Sequence, residues 1–470
     1  MTAAEETVVQ RLARLAHDAQ RDGLPDKLRD DVARRVLDVI GNSLAATDQP
    51  SARTVTAVVR EWGGPPRATA IGSDLAAPPA AAALVNGTLA HSLDFDDTHL
   101  PSVLHPSSSV IPAALAVAEA QGAPATALLD AAAAGIEVAV RLGMGGYDRE
   151  LGNSVFFERG QHATSICGAV GAAVAAAAVG GLDQADIAHA AGIAASMGAG
   201  LLEANRTGGT VKRVHCGWAA HSGVVAAELA RHGLTGPPTV IEGRFGFLFA
   251  HVGESADVDA VVAGLGERWE LPGIFFKPYP CNHFTHAGVD AALELRSRGV
   301  VADDVEDIEL GVPTPVLRTI AQPPEDKARP ESGYHAAFSG PYTVAAALTG
   351  GGGLGLGHDD FTDQAAADED RLALAARVRC VADERCDEIF PEQFPAVLRV
   401  RTRDGAHHEA RVDVNRGGPG NPLTAEELAA KFAMNAQRVL DDEARTQVAK
   451  EVLDLPAGAD VGAVMRLVRG

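Results

Sequence analysis

The sequence predicts a mainly α-helical protein, a large helical domain carrying a smaller α+β part. Three observations point there. Apolar residues recur at helical spacing through the first half, two long stretches are nearly free of charge and rich in small residues, and near Trp269 the texture changes to the alternation of strands. With 470 residues the chain is long enough for two or three ordinary domains and a sizeable core.

Taken in order, MTAAEETVVQRLARL begins an amphipathic helix and lacks the apolar core of a secretory signal. In LPDKLRDDVARRVLDVIGNSLAA, Pro25 stands in the first turn while Leu28, Val32, Val36, Leu37 and Ile40 share a face. Similar patterns recur at about 79–92, 106–121, 124–143, 164–180, 184–202 and 211–233. Ala163 to Leu182 carries no charge, and by length alone it could cross a bilayer. Alanine and glycine contribute little apolar area, however. This stretch and Ile187 to Leu202, which follows an Asp183 cap, read as two buried helices packed through small residues. Farther on, VEDIELGV reads as a strand. AVLRVRTRDGAHHEARVDV reads as a hairpin, with Leu398, Val400 and Thr402 alternating against Ala410, Val412 and Val414 about an Asp404-Gly405 turn. Helices at about 284–297 and 334–348 accompany the strands, and after the flexible NRGGPGNP a capping box of Thr424 and Glu427 starts a last helical stretch. The helical domain is thus expected over 1–268, completed by 415–470, with the α+β domain over 269–414.

A formal charge of −22 argues against nucleic acid or an anionic membrane as partner. An anionic substrate therefore needs a local positive pocket. Cys167, Cys216, Cys281, Cys380 and Cys386 form no CxxC pair, so reduced thiols and a cytoplasmic protein are expected.

The chemistry concentrates at a few places. His91, Asp94, Asp96, Asp97, His99 and His105 fall within fifteen positions. His105 lies just before one helix start and His162 just before another. Lys212, with Arg213, falls in the first turn of a third helix, and Lys277 leads into a fourth. A helix N-terminus carries unpaired N–H groups and partial positive charge, so lysine is unfavourable there unless an anion completes the arrangement. If the four ends converge, they make a cage for more than one carboxylate. Blander readings exist: a histidine before a helix is often only a hydrogen-bonded loop residue, and Asp96 and Asp97 could merely solvate a turn. His91, Asp94, Asp97, His99 and His105 could also hold a metal, although no HExxH-like signature fixes that geometry. His215 and His221 are read as structural, and His407 and His408 as exposed on the hairpin.

AHSLDFDDTH…HPSSSVIPAALAVAEA, GQHATSICGAVGAAVAAAAVGGL, GGTVKRVHCGWAAHSGVVAAELARHGLTGP, IEGRFGF, FKPYPCNHFTHAGVDAAL and GNPLTAEELAAKF, in that order, resemble the MmgE/PrpD family. That family includes 2-methylcitrate dehydratase, cis-aconitate decarboxylase and iminodisuccinate epimerase. The resemblance implies a large all-helical domain with a smaller α+β lid, an active site between them, a homodimer, and neither metal nor cofactor. It implies catalytic roles for Asp94, His105, His162, Lys212 and Lys277. Thr98, Arg213, Asn282 and His283 are expected to bind substrate. His105 is the expected acid–base residue, with Asp94 setting its tautomer although eleven positions separate them; His162 binds a carboxylate or delivers a second proton. The expected activity is that of a metal-independent lyase, a dehydratase or decarboxylase, acting on a small di- or tricarboxylate by proton transfer next to a carboxylate. The alternatives are an epimerase of an amino- or imino-dicarboxylate, a metal-dependent hydrolase, and a non-catalytic carboxylate-binding protein. Departures exist: Asn282, beside His283, stands where the family's decarboxylase has a histidine, and Leu317 where it has a tyrosine. The Thr98-to-His105 spacing is one residue longer, and DFDDTH differs from the dehydratase's usual DFNDT.

Overall fold

A computed structural model of the chain describes residues 6–470 and is mainly α. It divides into two compact units, one running to Ile274 and completed by Asn435–Gly470, the other Phe275–Met434.

In the first unit the helix Ala163–Val179 is buried along its whole length. It packs among the helices Ser107–Gln121, Ala125–Met144, Gln184–Ala194 and His215–Arg231. This is the buried small-residue helix expected of the uncharged stretch. Among the described residues no helix is long and apolar enough to cross a membrane. Small side chains let the backbones close up. A Cβ on Gly171 would lie 2.4 Å from the carbonyl oxygen of Gly135, and one on Gly217 would lie 2.2 Å from that of Leu84, in the helix Pro79–His91. Dispersion over many close contacts replaces the area that larger side chains would bury. Gly217→Ala should therefore cost about 1–3 kcal/mol, the scale of overpacking in a tight core, measurable by urea unfolding.

Two expectations fail locally. The helix expected over 184–202 ends at Ala194. The chain then passes Gly198, whose Cβ would strike the Ile166 carbonyl at 2.7 Å, and Gly200 at φ +151°, and Leu201 forms an isolated antiparallel bridge with Gln161. Nor is the unit wholly helical: Ala68–Thr69 pairs with Ala76–Ala77, and Tyr147–Asp148 with Asn153–Ser154.

The second unit is α+β. Val305–Val312 is flanked by Val378–Ala382 in parallel and Ala396–Thr402 in antiparallel, and the latter pairs with His407–Val412. The expected hairpin is present, with Leu398 opposite Ala410 and Gly405 at φ +86° in its turn. The helices His286–Ser297 and Gly340–Thr349 pack on this sheet. Val378–Ala382 went unforeseen because it is a short, partly exposed edge strand without an apolar alternation. The unit also begins and ends later than the expected 269 and 414. Phe276 N–H donates to the Gly417 carbonyl at 3.0 Å and the Arg416 guanidinium donates to Tyr279 Oη at 3.0 Å, so NRGGPGNP is tied down here. The Thr424–Glu427 capping box forms, with reciprocal hydrogen bonds of 3.2 and 2.8 Å.

Candidate active site

Three helix N-termini of the first unit are laced together. His105 precedes the helix Ser107–Gln121, and its N–H donates to Thr164 Oγ1, in the first turn of Ala163–Val179, at 3.2 Å. His162 is the N-cap residue of that second helix, and its Nδ1 lies 3.1 Å from Nδ1 of His215, the first residue of His215–Arg231. Each N-terminus leaves N–H groups without intrahelical partners, so the junction is intrinsically electropositive. Lys212 and Arg213 lie in a 3₁₀ turn, Val211–Val214, just ahead of the third helix rather than inside it.

The loop between His91 and His105 organises the carboxylates. Asp97 is almost fully buried: its Oδ2 takes a hydrogen bond from Arg35 at 3.1 Å and from Ser107 Oγ at 2.5 Å, and its Oδ1 takes one from the Ser107 N–H. Burial raises its carboxyl to about 6, partly offset by Arg35. Its own carbonyl accepts the Nδ1 proton of His105 at 2.6 Å. A carbonyl only accepts, so the proton of neutral His105 sits on Nδ1 and the lone pair on Nε2. The orienting role expected of Asp94 therefore belongs to the Asp97 main chain. Thr98 Oγ1 is 3.4 Å from the same nitrogen, and Asp96 Oδ1 is 4.0 Å away, ready to favour an imidazolium. His105 is the half-buried member of this group, so it has access to a ligand.

Asp94 faces Lys212, whose Nζ donates to its Oδ1 at 3.4 Å. Its backbone is left-handed, φ +53°, a conformation that costs a non-glycine residue energy and that aspartate tolerates better than most. That turn aims the carboxylate at the lysine, which is itself mostly buried.

His91, expected only as a possible metal ligand, and Asp96, expected at most to solvate a turn, bind each other beside His105 and His162. His91 ends the helix Pro79–His91; its Nδ1 bonds Asp96 Oδ2 at 2.8 Å, and Ser108 Oγ donates to the same oxygen. Burial opposes charge on this ring, but Cys216 and Asp96 outweigh it and raise His91 to about 10. Its ring centroid lies 5.6 Å from that of His105 and 5.3 Å from that of His162. Burial, and then the charges of His91 and Lys212 among others, push His162 far below its ordinary range, and His215 falls to about 4 for the same reasons. Burial and neighbouring charge thus favour the cation at His91 and the neutral ring at His162 and His215.

His99 bonds Ser102 Oγ at 2.8 Å and is lowered to about 3 by burial, Arg35 and Arg141, so it is a neutral structural residue. His221 bonds the Ala80 carbonyl at 2.9 Å. In the second unit Lys277 is buried in the segment before the turn His283–Thr285, not at a helix mouth. Asn282 uses its side-chain oxygen to cap that turn, accepting from Phe284 N–H at 3.1 Å. His283 is buried among Phe275, His286 and Phe394.

The five residues considered as metal ligands are not assembled, since Asp97 is spent on Arg35 and His99 on Ser102. Among the described residues one group has donors close enough to hold a metal, His91, Asp96 and Cys216, within 4.8 Å of one another. There the imidazole and carboxylate already bind each other, and an ion would have to displace the proton they share.

Residues 10–258 match the MmgE/PrpD N-terminal domain and residues 279–455 the MmgE/PrpD C-terminal domain. Human cis-aconitate decarboxylase is 28% identical, covering 99% of this chain and 95% of its own. An Aspergillus terreus protein named cis-aconitate decarboxylase is 26% identical (99% and 96%), and a cis-aconitate decarboxylase-like protein of Aspergillus oryzae is 27% identical (95% of each). With both domains matched in order over most of its length, the chain belongs to the MmgE/PrpD family.

Proposed function

We propose that the chain is a metal-independent lyase acting on a small di- or tricarboxylate, with a decarboxylase-type reaction favoured by the names of its relatives. The observation that carries this reading is the junction itself: an oriented imidazole with its lone pair on Nε2, the Lys212–Asp94 pair, and two further helix N-termini in one place. Removing a proton next to a carboxylate, or breaking the bond to a leaving CO₂, puts an electron pair beside negative charge. Lysine and helix N–H groups stabilise that charge where water is excluded. His105 takes or returns the proton through Nε2, and Asp96 stabilises the imidazolium formed in between. Lys212 neutralises a substrate carboxylate, trading part of its contact with Asp94 for it. His162 supplies a second polar contact or proton. Lys277, by its match to the family motif, is assigned to bind substrate charge as well.

The test is a panel of di- and tricarboxylates incubated with the protein in D₂O and followed by NMR. Turnover of one of them, with solvent deuterium at the carbon next to a carboxylate, is the expected result; no turnover and no exchange across the panel would remove the reading. Lys212→Met should weaken binding of that substrate by ~2–3 kcal/mol, the scale of one lost partly buried charge-assisted hydrogen bond, as read by calorimetry. Unchanged affinity in a folded variant would place the carboxylate elsewhere. Asp94→Asn keeps a residue that tolerates the left-handed backbone, so the fold should hold while turnover falls by less than in His105→Gln.

A further inference from the structure

His215, at first sight a structural residue, is bonded to His162 in a way that constrains both rings. Their Nδ1 atoms are 3.1 Å apart, their centroids 5.1 Å, and both residues are buried. Two nitrogens at that distance hold one proton between them. With both rings neutral, the ring that donates keeps a lone pair on its outer Nε2, and the ring that accepts carries its proton there. The choice made at the inner bond therefore decides whether His162 presents a base or an acid at Nε2.

The surroundings hold this bond in place. Ser165 Oγ donates to the His215 carbonyl at 2.9 Å, and His162 N–H donates to the Gly200 carbonyl at 3.0 Å. Gly200 lies directly over the pair: a Cβ there would be 3.0 Å from His162 Cβ and 3.2 Å from His215 Nδ1. The charged and titratable groups that face the pair are His91, Lys212 and, for His162, also His105. His91 is in turn bound by Asp96 and close to Cys216. Every cationic member of that set opposes a second proton on the pair.

We propose that His215 is a positioning residue that selects the tautomer of His162 through their Nδ1···Nδ1 hydrogen bond and so sets which proton step His162 can perform. Its catalytic consequence rests on the proposed function, in which His162 meets the substrate; its structural content does not. The primary test is two-bond ¹H–¹⁵N correlation on the ¹⁵N-histidine-labelled protein without substrate. His162 in the native protein should be neutral in a single tautomer across about pH 5 to 8. In His215→Phe it should become a mixture of tautomers. In Gly200→Ala, which leaves both rings but presses on the bond, the inner-nitrogen signals should shift. Once a substrate is in hand, His215→Phe should lower kcat by about 10- to 100-fold, the scale on which loss of an orienting partner is felt, with KM changed less. The kcat–pH profile should also gain a histidine-like titration. Unaltered His162 signals in His215→Phe overturn the proposal; if that variant does not fold, unaltered signals in Gly200→Ala do so. A changed tautomer without any turnover on the carboxylate panel would leave the tautomer selection standing and refute the reaction instead.

Discussion

His105→Gln is expected to lower turnover by about 10²–10⁴ while changing substrate affinity little, as loss of a general acid–base group does. The Asp97 carbonyl fixes the proton of His105 on Nδ1, at 2.6 Å, which leaves Nε2 as the basic atom. Glutamine can put an amide group near the position of Nε2 and so keep a polar contact, but an amide is neither an effective acid nor an effective base at neutral pH. Binding through Lys212 and the helix ends should therefore survive, and the proton step should not. Steady-state kinetics on the substrate found in the carboxylate panel will decide. His221→Gln is the control, since His221 serves the Ala80 carbonyl and no part of the junction. A normal kcat in His105→Gln would move the acid–base role elsewhere, with His162 the next residue to examine.

Much of this was legible in the sequence because its signals are local. The uncharged Ala163–Leu182 stretch could only be a buried helix once its residues proved too small to drive membrane insertion, and the Asp404-Gly405 turn fixed the hairpin register. The chemistry at helix mouths was legible for the same reason: His105 and His162 stand where a capping position can be read from the residues that follow. What escaped was contact between distant segments. The pairing of His215 with His162 joins positions 53 apart in the chain. Nothing near His215 announces it, except that TVKRVHCG continues directly from Lys212. His91 and Asp96 were visible as titratable residues, yet only folding shows that they bind each other. Asp94 was misread in one respect, because the Asp97 carbonyl, a group that any residue could supply, orients His105. The early end of the helix after Gln184 turns on Gly198 meeting Ile166, again a tertiary contact that overrides a plausible local pattern.

Arg35→Met should be the most damaging single substitution for stability, at about 3–5 kcal/mol. Arg35 is fully buried and bonded to Asp31 at 2.8 Å, to Asp97 at 3.1 Å, and to the carbonyls of Leu271 and Ile274 at 3.2 and 3.1 Å. Methionine fills much of the space, so the cost is not a cavity; it is the carboxylate of Asp97 left buried without its cation. The penalty should depend on pH, and the sign follows from linkage. Even beside Arg35, burial holds Asp97 at about 6, above the ordinary range of an unfolded aspartate. A group whose folded value is raised in this way destabilises the fold as pH rises through that value, because the unfolded chain loses the proton more readily. Without Arg35 the folded value climbs further. The gap between variant and wild type should then be widest near about pH 8 and should narrow near about pH 5, where the carboxyl is protonated. Urea unfolding at the two pH values measures it, and an equal gap at both would mean that the loss lies in the carbonyl bonds or the packing. Arg35→Met with Asp97→Asn should recover part of the stability, since removing both charges of a buried pair costs less than removing one. Because Asp97 also carries the carbonyl that orients His105, turnover in Arg35→Met should fall even at temperatures where the protein remains folded.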